Sequence, residues 1–384
     1  MKGIRNCLWP LCFSLALIAF TVYISLDTFV ISRSYDTDAV GMNTAMFDNL
    51  AAAENEKKAE GSAATAEARQ EGVDPSVRTA TPQPDEASSD SPERDVYSSR
   101  SVPERRSNHG FGPSGGRSAR GNQAPSGSES DSASGADPST AYTGDTAYQD
   151  GNVAITLTTY EQNNTKIYVA DITVTSAQYL KTAFANNTYG KNVTATTSSI
   201  AQANNAILAV NGDYYGAREA GYVIRNGIVY RGTATGSDVL CVYADGTMKI
   251  VNDREFTADQ LVEKGVWQAF SFGPALVEDG SVTVGVRTEV GRGMASNPRT
   301  AIGVVDANHY VFVVSDGRTD ESEGLTLYEL AQFMQGLGVQ TAYNLDGGGS
   351  STLYFNGRVV NNPTTTGRIQ ERSVSDIVYI GKDS

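Results

Sequence analysis

Histidine, cysteine and tryptophan are scarce in this chain of 384 residues, and their scarcity excludes several common kinds of site. The 2 histidines are His109, in a Ser/Gly-rich stretch, and His309, so neither a multi-histidine zinc site nor a His-centred triad is expected. Of the 3 cysteines, Cys7 and Cys12 lie in an apolar N-terminal run, which leaves Cys241 alone and gives no CxxC pair. Catalysis is therefore expected from carboxylates, arginines, hydroxyls and backbone amides.

Basic residues are also in deficit, because 30 Lys+Arg stand against 44 Asp+Glu and the formal net charge is −14. Nucleic-acid binding requires clustered Lys and Arg, so no nucleic-acid partner is expected. The acidity is uneven. Residues 32–150 carry 20 acidic and 11 basic residues. Most of the net negative charge therefore lies in this stretch and gives no information about the substrate.

One apolar run predicts a membrane anchor. Residues 8–26 read LWPLCFSLALIAFTVYISL without a charge, which is about the length needed to cross ~30 Å of hydrocarbon as a helix. Lys2 and Arg5 precede the run, which favours a cytoplasmic N-terminus and an extracytoplasmic remainder. Residues 1–31 are thus predicted to be a single-pass anchor in the cell membrane. A cleaved signal peptide is the alternative, but no small-x-small cleavage site follows the run.

Two regions that differ in composition and hydrophobic pattern follow the predicted anchor. Residues 32–150 contain few large apolar residues and no sustained period, so they are predicted to be a disordered linker that spaces a domain from the membrane. Within them, an Ala/Glu/Lys-rich stretch at 51–69 favours a helix. Residues 151–384 show alternating apolar residues with frequent turns and are long enough for one domain with its own core.

The predicted domain is of the α+β class, mostly β-sheet with a few packed helices. Asn226-Gly227 and Asn356-Gly357 are each flanked by β-forming residues and predict hairpin turns, because both central positions of such turns favour positive φ. Helices are predicted to begin at Thr257 and Thr326, since each is followed three residues later by Gln or Glu in the pattern of a capping box.

The most specific motif is Tyr343-Asn-Leu-Asp-Gly-Gly-Gly-Ser-Ser-Thr352. In an extended strand Asn344 and Asp346 point to the same face. The glycines permit a tight loop whose N–H groups can hold an anionic oxygen, and three hydroxyls follow. The motif therefore predicts that Asp346 stands beside an anion cradle formed by Gly347, Gly348, Gly349, Ser350, Ser351 and Thr352.

Asn211 and Asp213 follow the apolar run 207–210. Polar residues at the end of a buried strand are commonly site residues, because the strand fixes their position. A solvated Asn-Gly turn is the alternative interpretation. Arg372, before the last strand, has no clear assignment.

Two arginines are candidates for binding an anion, because a guanidinium can hold a phosphate or carboxylate through two hydrogen bonds. Arg299 and Thr300 begin a strand in the motif NPRTAIG, and Arg318 follows Asp316 in SDGR. Glu329 is a candidate carboxylate, although its place in a capping box already explains it.

Several motifs, taken in order, resemble the phosphodiester glycosidase family over about residues 206–380: NGDYY, NPRTAIG, SDGR, the helix GLTLYEL, YNLDGGGSST, NNP and the closing segment ERSVSD. The resemblance implies hydrolysis of a sugar 1-phosphodiester at the bond between the anomeric carbon and the bridging oxygen. Carried over to this chain, it implies a pocket formed by Asn211, Asp213, Arg299, Asp316, Arg318, Asn344, Asp346 and the loop 347–352.

The chemistry of such a reaction fits these residue types. A phosphate monoester is a good leaving group, so anion binding matters more than strong general-acid help. Asp346 is the first choice as base or nucleophile, with Asp213, Asp316 or Glu329 as its partner. No cofactor is required. A divalent cation is compatible with the aspartates, but no ligand spacing demands one.

Three functions remain open. The leading one is an anchored extracytoplasmic hydrolase acting on glycosyl phosphodiesters of a cell-envelope polymer or exopolysaccharide. The second is a metal-dependent phosphodiesterase that cleaves the P–O bond. The third is a non-catalytic surface module that binds glycans on tyrosine platforms, for which the candidates are Tyr214, Tyr215, Tyr222 and Tyr230. The sequence does not address the oligomeric state.

Overall fold

The computed structural model describes residues 12–23, 34–36, 41–53, 55, 142–289 and 296–381. Most of these residues form antiparallel sheets. The largest sheet has nine strands, in the spatial order β15 (Ser281–Val282), β14 (Ala275–Glu278), β18 (Thr341–Asn344), β16 (Arg299–Asp306), β17 (His309–Ser315), β5 (Thr165–Val174), β4 (Val153–Gln162), β3 (Ala147–Gln149) and β2 (Tyr142–Thr143).

Two sheets have five strands each. One has the order β10 (Ile228–Arg231), β9 (Val223–Arg225), β13 (Val266–Phe270), β11 (Asp238–Tyr243) and β12 (Met248–Asn252). The other has the order β20 (Arg358–Val359), β19 (Leu353–Phe355), β8 (Ala206–Asn211), β23 (Asp376–Gly381) and β6 (Leu180–Phe184). Two strand pairs complete the set, β1 (Ser34–Asp36) with β7 (Thr188–Gly190) and β21 (Thr364–Thr365) with β22 (Arg368–Ile369).

Helices are few and short, as the sequence predicted. They are α1 (12–23), α2 (45–53), α3 (Thr197–Ala203), α4 (Ala258–Glu263) and α5 (Leu327–Gly336). Short 3-10 turns lie at Ala177–Tyr179, Ala185–Asn187, Tyr215–Ala217 and Gly348–Ser350. Both predicted capping boxes are confirmed, at Thr257 and at Thr326. The hairpin turns at Asn226-Gly227 and Asn356-Gly357 are confirmed too, with positive φ at all four residues.

The nine-stranded sheet is covered on both faces because its apolar residues alternate between two cores. Ile302, Phe312 and Val314 point into the main core, which they share with the two five-stranded sheets. Ala301, Val311 and Val313 point the other way and pack against buried residues of α5. A helix on one face and sheets on the other give the predicted α+β architecture.

Among the described residues, no helix is long and apolar enough to cross a bilayer. The predicted span 8–26 lies partly outside the described residues, because α1 accounts only for 12–23. The anchor therefore remains a prediction.

Parts of the range predicted as linker lie on the domain. β1 pairs with β7, while β2 and β3 extend the nine-stranded sheet, so the sheet begins before Gly151. The helix predicted at 51–69 is seen only at 51–53 and 55. Residues 56–141 lie outside the described residues.

The fold brings several strand ends to one place. Arg299 at the start of β16 pairs with Ser315 at the end of β17, and Ala301 pairs with Asn344 at the end of β18. Asn211, the last residue of β8 in a neighbouring sheet, donates a hydrogen bond to the carbonyl of Asp346. The glycine motif therefore leaves β18 where two sheets meet.

Candidate active site

The loop after β18 is shaped by its glycines. Gly348 has φ +61°, and a Cβ atom there would lie 2.9 Å from Nη2 of Arg318. A Cβ at Gly349 would lie 2.5 Å from Oγ1 of Thr365. Both positions therefore require glycine, one for its backbone conformation and both for space. Their small size lets the guanidinium of Arg318 lie directly against the loop.

Asp346 is held by two donors on one of its oxygens. Its Oδ2 accepts hydrogen bonds from Oγ of Ser350 at 2.6 Å and from Nη2 of Arg372 at 2.8 Å. Its Oδ1 accepts none from another described residue. The side chain is largely buried, and this burial raises the pKa of Asp346, while Arg372 and Ser350 act in the opposite direction. The carboxylate is thus fixed by Oδ2, with Oδ1 available for chemistry.

Arg372 is a site residue that sequence reasoning left unassigned. Its Nε donates to Oγ of Ser350 at 2.9 Å, so the guanidinium spans both Ser350 and Asp346. The other side of the guanidinium faces the ring of Tyr214 at 5.9 Å. Arg372 lies 26 positions after Asp346, in the closing segment ERSVSD, and only the folded chain shows the pairing.

Arg299 and Arg318 converge on the glycine loop as predicted. Nε of Arg299 donates to the carbonyl of Leu325 at 2.8 Å, and its Nη2 lies 3.3 Å from a carboxylate oxygen of Glu289. Burial lowers the pKa of Arg299, and the nearby charge of Arg318 adds to this effect. Arg318 donates to Oδ1 of Asn297 through both Nε and Nη2, at 3.1 and 2.7 Å. Two adjacent guanidiniums form a site that an anion would stabilise.

The backbone at this site is strained at two residues that are neither Gly nor Asn. Arg318 has φ +62° and Tyr214 has φ +65°. Such left-handed conformations are uncommon for larger side chains and concentrate at functional sites. They hold one guanidinium against the glycine loop and one aromatic ring beside Arg372.

These residues surround a cavity of about 160 Å³. Its lining includes three arginines, one carboxylate and one aromatic ring. The lining residues are Phe272, Asn297, Arg299, Arg318, Asn344, Asp346, Gly347, Gly348 and Arg372. Five of the predicted site residues beside Asp346 are therefore brought together, and the cavity is small, open and rich in positive charge.

Asn211, Thr300 and Thr352 support the loop from below. Oδ1 of Asn211 accepts hydrogen bonds from Oγ1 of Thr300 at 2.8 Å and from the Thr352 amide at 3.3 Å. Ser351 is buried beneath the loop. Asn344 lines the cavity itself and donates to the carbonyl of Gly273 at 2.8 Å. Its Oδ1 is buried and has no hydrogen-bond partner among the described residues.

Asp213 is placed away from the cavity, contrary to its predicted catalytic role. It is 1% exposed, and its Oδ1 lies 2.9 Å from Nη2 of Arg225. Oδ2 of Asp376 lies 2.9 and 2.8 Å from Nε and Nη2 of the same guanidinium. A fully buried arginine requires such partners, since an unpaired charge in the core is costly. This placement gives Asp213 a structural explanation.

Asp316 and Glu329 also lie outside the cavity lining. Asp316 is buried and accepts hydrogen bonds from Tyr168 at 3.1 Å and from the Asn362 amide at 2.8 Å. Glu329 accepts from both the amide and the hydroxyl of Thr326, at 2.8 Å each, as a capping residue does. Of the four predicted catalytic carboxylates, Asp346 alone lines the cavity within the described chain.

Two further residues of the site had no clear signal in the sequence. Glu289, which forms an ion pair with Arg299, lies outside every motif. Phe272 follows a buried strand and stands among many apolar residues. Within the described ranges no group of three or more His, Cys, Asp and Glu is arranged to hold a metal ion.

Residues 204–381 match the family model described as phosphodiester glycosidase. The chain is 32% identical over 182 residues to the SPbeta prophage-derived uncharacterized protein YomE of Bacillus subtilis, covering 45% of this chain and 28% of that protein. It is 41% and 42% identical over 66 residues to the mouse and human N-acetylglucosamine-1-phosphodiester alpha-N-acetylglucosaminidases, covering 17% of this chain and 13% of each of those. The chain thus spans less than a third of these curated relatives.

Among solved structures, the catalytic domain of the zebrafish N-acetylglucosamine-1-phosphodiester alpha-N-acetylglucosaminidase, auto-inhibited by its pro-peptide, aligns with a TM-score of 0.48 at 18% identity. The alignment covers 60% of this chain and 83% of that one. All residues that line the cavity lie inside the range matched by the family model. Residues 204–381 of this chain, a little under half of it, thus resemble the phosphodiester glycosidase family.

Proposed function

We propose that the chain hydrolyses a glycosyl 1-phosphodiester by breaking the bond between the anomeric carbon and the bridging oxygen. The observation that supports this most is the shared cavity, in which Asp346 faces the same small space as Arg299, Arg318 and the glycine loop. A carboxylate beside an anion site is what such a substrate requires, because its reacting carbon is one atom from its phosphate.

Arg299 and Arg318 would bind the phosphate. Glu289 now lies 3.3 Å from Arg299, and a phosphate oxygen would take the place of this carboxylate. The diester carries one negative charge, and the departing monoester acquires a second as the C–O bond breaks. The two guanidiniums therefore bind the transition state more strongly than the substrate, which is the condition for acceleration.

Asp346 would act at the anomeric carbon, either as a base toward water or as a nucleophile. In both routes the water oxygen ends on the anomeric carbon, and the bonding electron pair leaves with the phosphate. Both require the ionised carboxylate, which Arg372 and Ser350 stabilise through Oδ2. The second carboxylate of ordinary glycosidases protonates a poor leaving group, and a phosphate monoester does not need it.

The sugar would lie toward the aromatic side of the cavity. Tyr214 is 44% exposed next to Arg372, and Phe272 lines the cavity. Of the tyrosines considered as glycan platforms, Tyr215 and Tyr222 are buried and Tyr230 packs against Phe184 and Tyr189, so Tyr214 is the one placed for this role. We further propose an envelope polymer or exopolysaccharide as the source of the substrate, on the strength of the predicted anchor.

Product analysis tests the proposal. With methyl N-acetylglucosamine 1-phosphodiester as the probe, C–O cleavage releases free N-acetylglucosamine and methyl phosphate. Cleavage of the methyl-side P–O bond would instead release N-acetylglucosamine 1-phosphate and methanol, and would favour the phosphodiesterase alternative. Cleavage of the sugar-side P–O bond gives the same products as C–O cleavage and is recognised by entry of ¹⁸O from water into methyl phosphate. Glu255→Gln is a matched control, because it neutralises an exposed carboxylate outside the cavity lining and is expected to keep activity. Binding without turnover would favour the glycan-binding module.

A further inference from the structure

The N-terminal strap consists of Ser34–Asp36 and residues 41–53, and it lies on the folded domain although more than eighty residues separate it from β2. Ser34–Asp36 forms β1 and pairs antiparallel with Thr188–Gly190. A backbone pairing of this kind specifies a register and not merely proximity. The strap is therefore a defined part of the fold, within the stretch that the sequence assigns to a linker.

The helical part of the strap docks on the Asn226-Gly227 turn. The Asn43 amide donates to the carbonyl of Asn226 at 3.0 Å, and its side chain donates to the carbonyl of Gly227 at 3.3 Å. The ring of Phe47 meets Trp267 edge to face at 5.0 Å between centroids. Such aromatic pairs stabilise a contact beyond the area they bury.

The receiving surface is preformed by contacts within the domain. The side chain of Asn226 bonds to Thr182 and Gln268, and the indole of Trp267 donates to the carbonyl of Leu180 at 2.7 Å. None of these bonds involves the strap. The body can therefore keep its structure when the strap leaves, so that docking is a binding step and not a condition of folding.

The fit is close at one end and loose at the other. A Cβ atom at Gly227 would lie 2.7 Å from the carbonyl oxygen of Asn43 and 2.9 Å from the terminal methyl of Met46. Farther along α2, a cavity of about 490 Å³ remains between the helix and residues near Val262 and Lys264. Specific contacts are concentrated around Asn43 and Phe47, which makes this end the place to break the docking.

We propose that the N-terminal strap is a non-covalent attachment that holds the catalytic domain to whatever precedes residue 34. The chain between residues 55 and 142 then closes a loop on one body, and cutting that loop does not release the domain. This proposal does not depend on the proposed reaction.

The strap contact would limit how far the catalytic domain can move from the predicted anchor. Seven residues separate Leu26 from Ser34, and the eight Cα–Cα steps between the two reach at most roughly 28 Å when fully extended. With the anchor in a bilayer, the strap keeps the domain close to the surface, whereas a free linker over 32–150 would let it range far from it.

A cleavage experiment on the full chain tests the proposal. A site for a sequence-specific protease is introduced between residues 62 and 135, the chain carries an N-terminal affinity tag, and the protein is cut in mild detergent on the affinity resin. The expected result is that the catalytic fragment stays with the tagged fragment. Cutting turns an intramolecular contact into a bimolecular one, so the time course of release reports the strap contact itself.

Three variants make the result specific. Phe47→Ala removes the ring on Trp267 and is expected to release the catalytic fragment at least about tenfold faster. Gly227→Ala adds a methyl group against Asn43 and is expected to do the same. Gly357→Ala is the matched control, because it is the same kind of Asn-Gly turn with positive φ, but a Cβ there meets nothing within 4 Å.

Immediate loss of the catalytic fragment from the cut wild-type chain would overturn the proposal. So would retention of Phe47→Ala for as long as the wild type. Phe47 lies in the strap, so this variant leaves the residues of the body unchanged and remains decisive even where Gly227→Ala does not fold.

Discussion

Two aspartate–arginine clusters in this domain have similar chemistry and different surroundings. In one, Arg225 lies between Asp213 and Asp376, and all three side chains are at most 2% exposed. In the other, Arg372 contacts Asp346 at the edge of a cavity, and the arginine side chain is 41% exposed. The first cluster is buried, with two carboxylates on one guanidinium, whereas the second lies beside the cavity with the Arg372 side chain partly exposed. Surroundings, and not residue type, separate a structural cluster from a candidate active site.

The largest expected effect comes from neutralising Asp346, the carboxylate of the second cluster. Asp346→Asn should lower kcat on the methyl phosphodiester by about 10³-fold or more, since it removes the carboxylate that acts at the anomeric carbon. Steady-state kinetics measure the loss, and circular dichroism checks that the fold is intact. Activity within tenfold of the wild type would remove Asp346 from the mechanism.

The second prediction concerns stability, for which the Arg225 cluster is expected to matter more than the Arg372 cluster. Arg225→Met should lower the free energy of unfolding by about 3–5 kcal/mol, because two buried carboxylates lose their shared partner. Arg372→Met should cost less than about 1 kcal/mol, because its side chain is partly in water. Urea unfolding of both variants measures the difference. Equal costs would show that the two clusters are not distinct in the way proposed.

The third prediction sharpens the role of Arg372. Because burial raises the pKa of Asp346 and Arg372 opposes that rise, removing the guanidinium charge should raise the pKa further. Activity that requires the ionised carboxylate is lost as the pH falls through this pKa. The acid limb of kcat/KM should therefore move to higher pH in Arg372→Gln and stay near the wild-type position in Arg372→Lys. An unshifted limb in the Gln variant would limit Arg372 to a packing role.

The smallest effect is expected in the pH dependence of stability. Burial, opposed by Arg225 and reinforced by Asp213, raises the pKa of Asp376 to about 7. A carboxyl whose pKa is higher in the folded state contributes stability that is full below its unfolded pKa and is lost as the pH rises through the folded pKa. The contribution of Asp376 should thus decline between about pH 4 and pH 7. Asp376→Asn should remove this part of the profile, and an unchanged profile would contradict the assignment.

The sequence predicted the parts of the site whose geometry depends on neighbouring residues. Three consecutive glycines indicate a tight loop, and Arg299 and Arg318 stand in short motifs at strand ends. The capping boxes and Asn-Gly turns were predictable for the same reason, because their geometry depends on two to four neighbouring residues.

Long-range features could not be predicted. Polar residues after a buried strand look alike in sequence whether they face a cavity or the core, so Asp213 was grouped with Asp346 although its partners are Arg225 and Asp376. Arg372 acquires its role only when the last strand returns beside the loop. The strap could not be predicted because the apolar residues near Phe47 are too few to indicate an interface within a polar stretch.

The position of the cleaved bond tests the central claim most directly. Hydrolysis of the methyl phosphodiester is carried out in water enriched in ¹⁸O, and both products are examined by mass spectrometry. Attack at the anomeric carbon predicts that methyl phosphate carries no label; methyl phosphate is the decisive product because the anomeric oxygen of the free sugar exchanges with water. Label in methyl phosphate, or in N-acetylglucosamine 1-phosphate with methanol released, would mean that a P–O bond breaks and would contradict the proposed attack at the anomeric carbon.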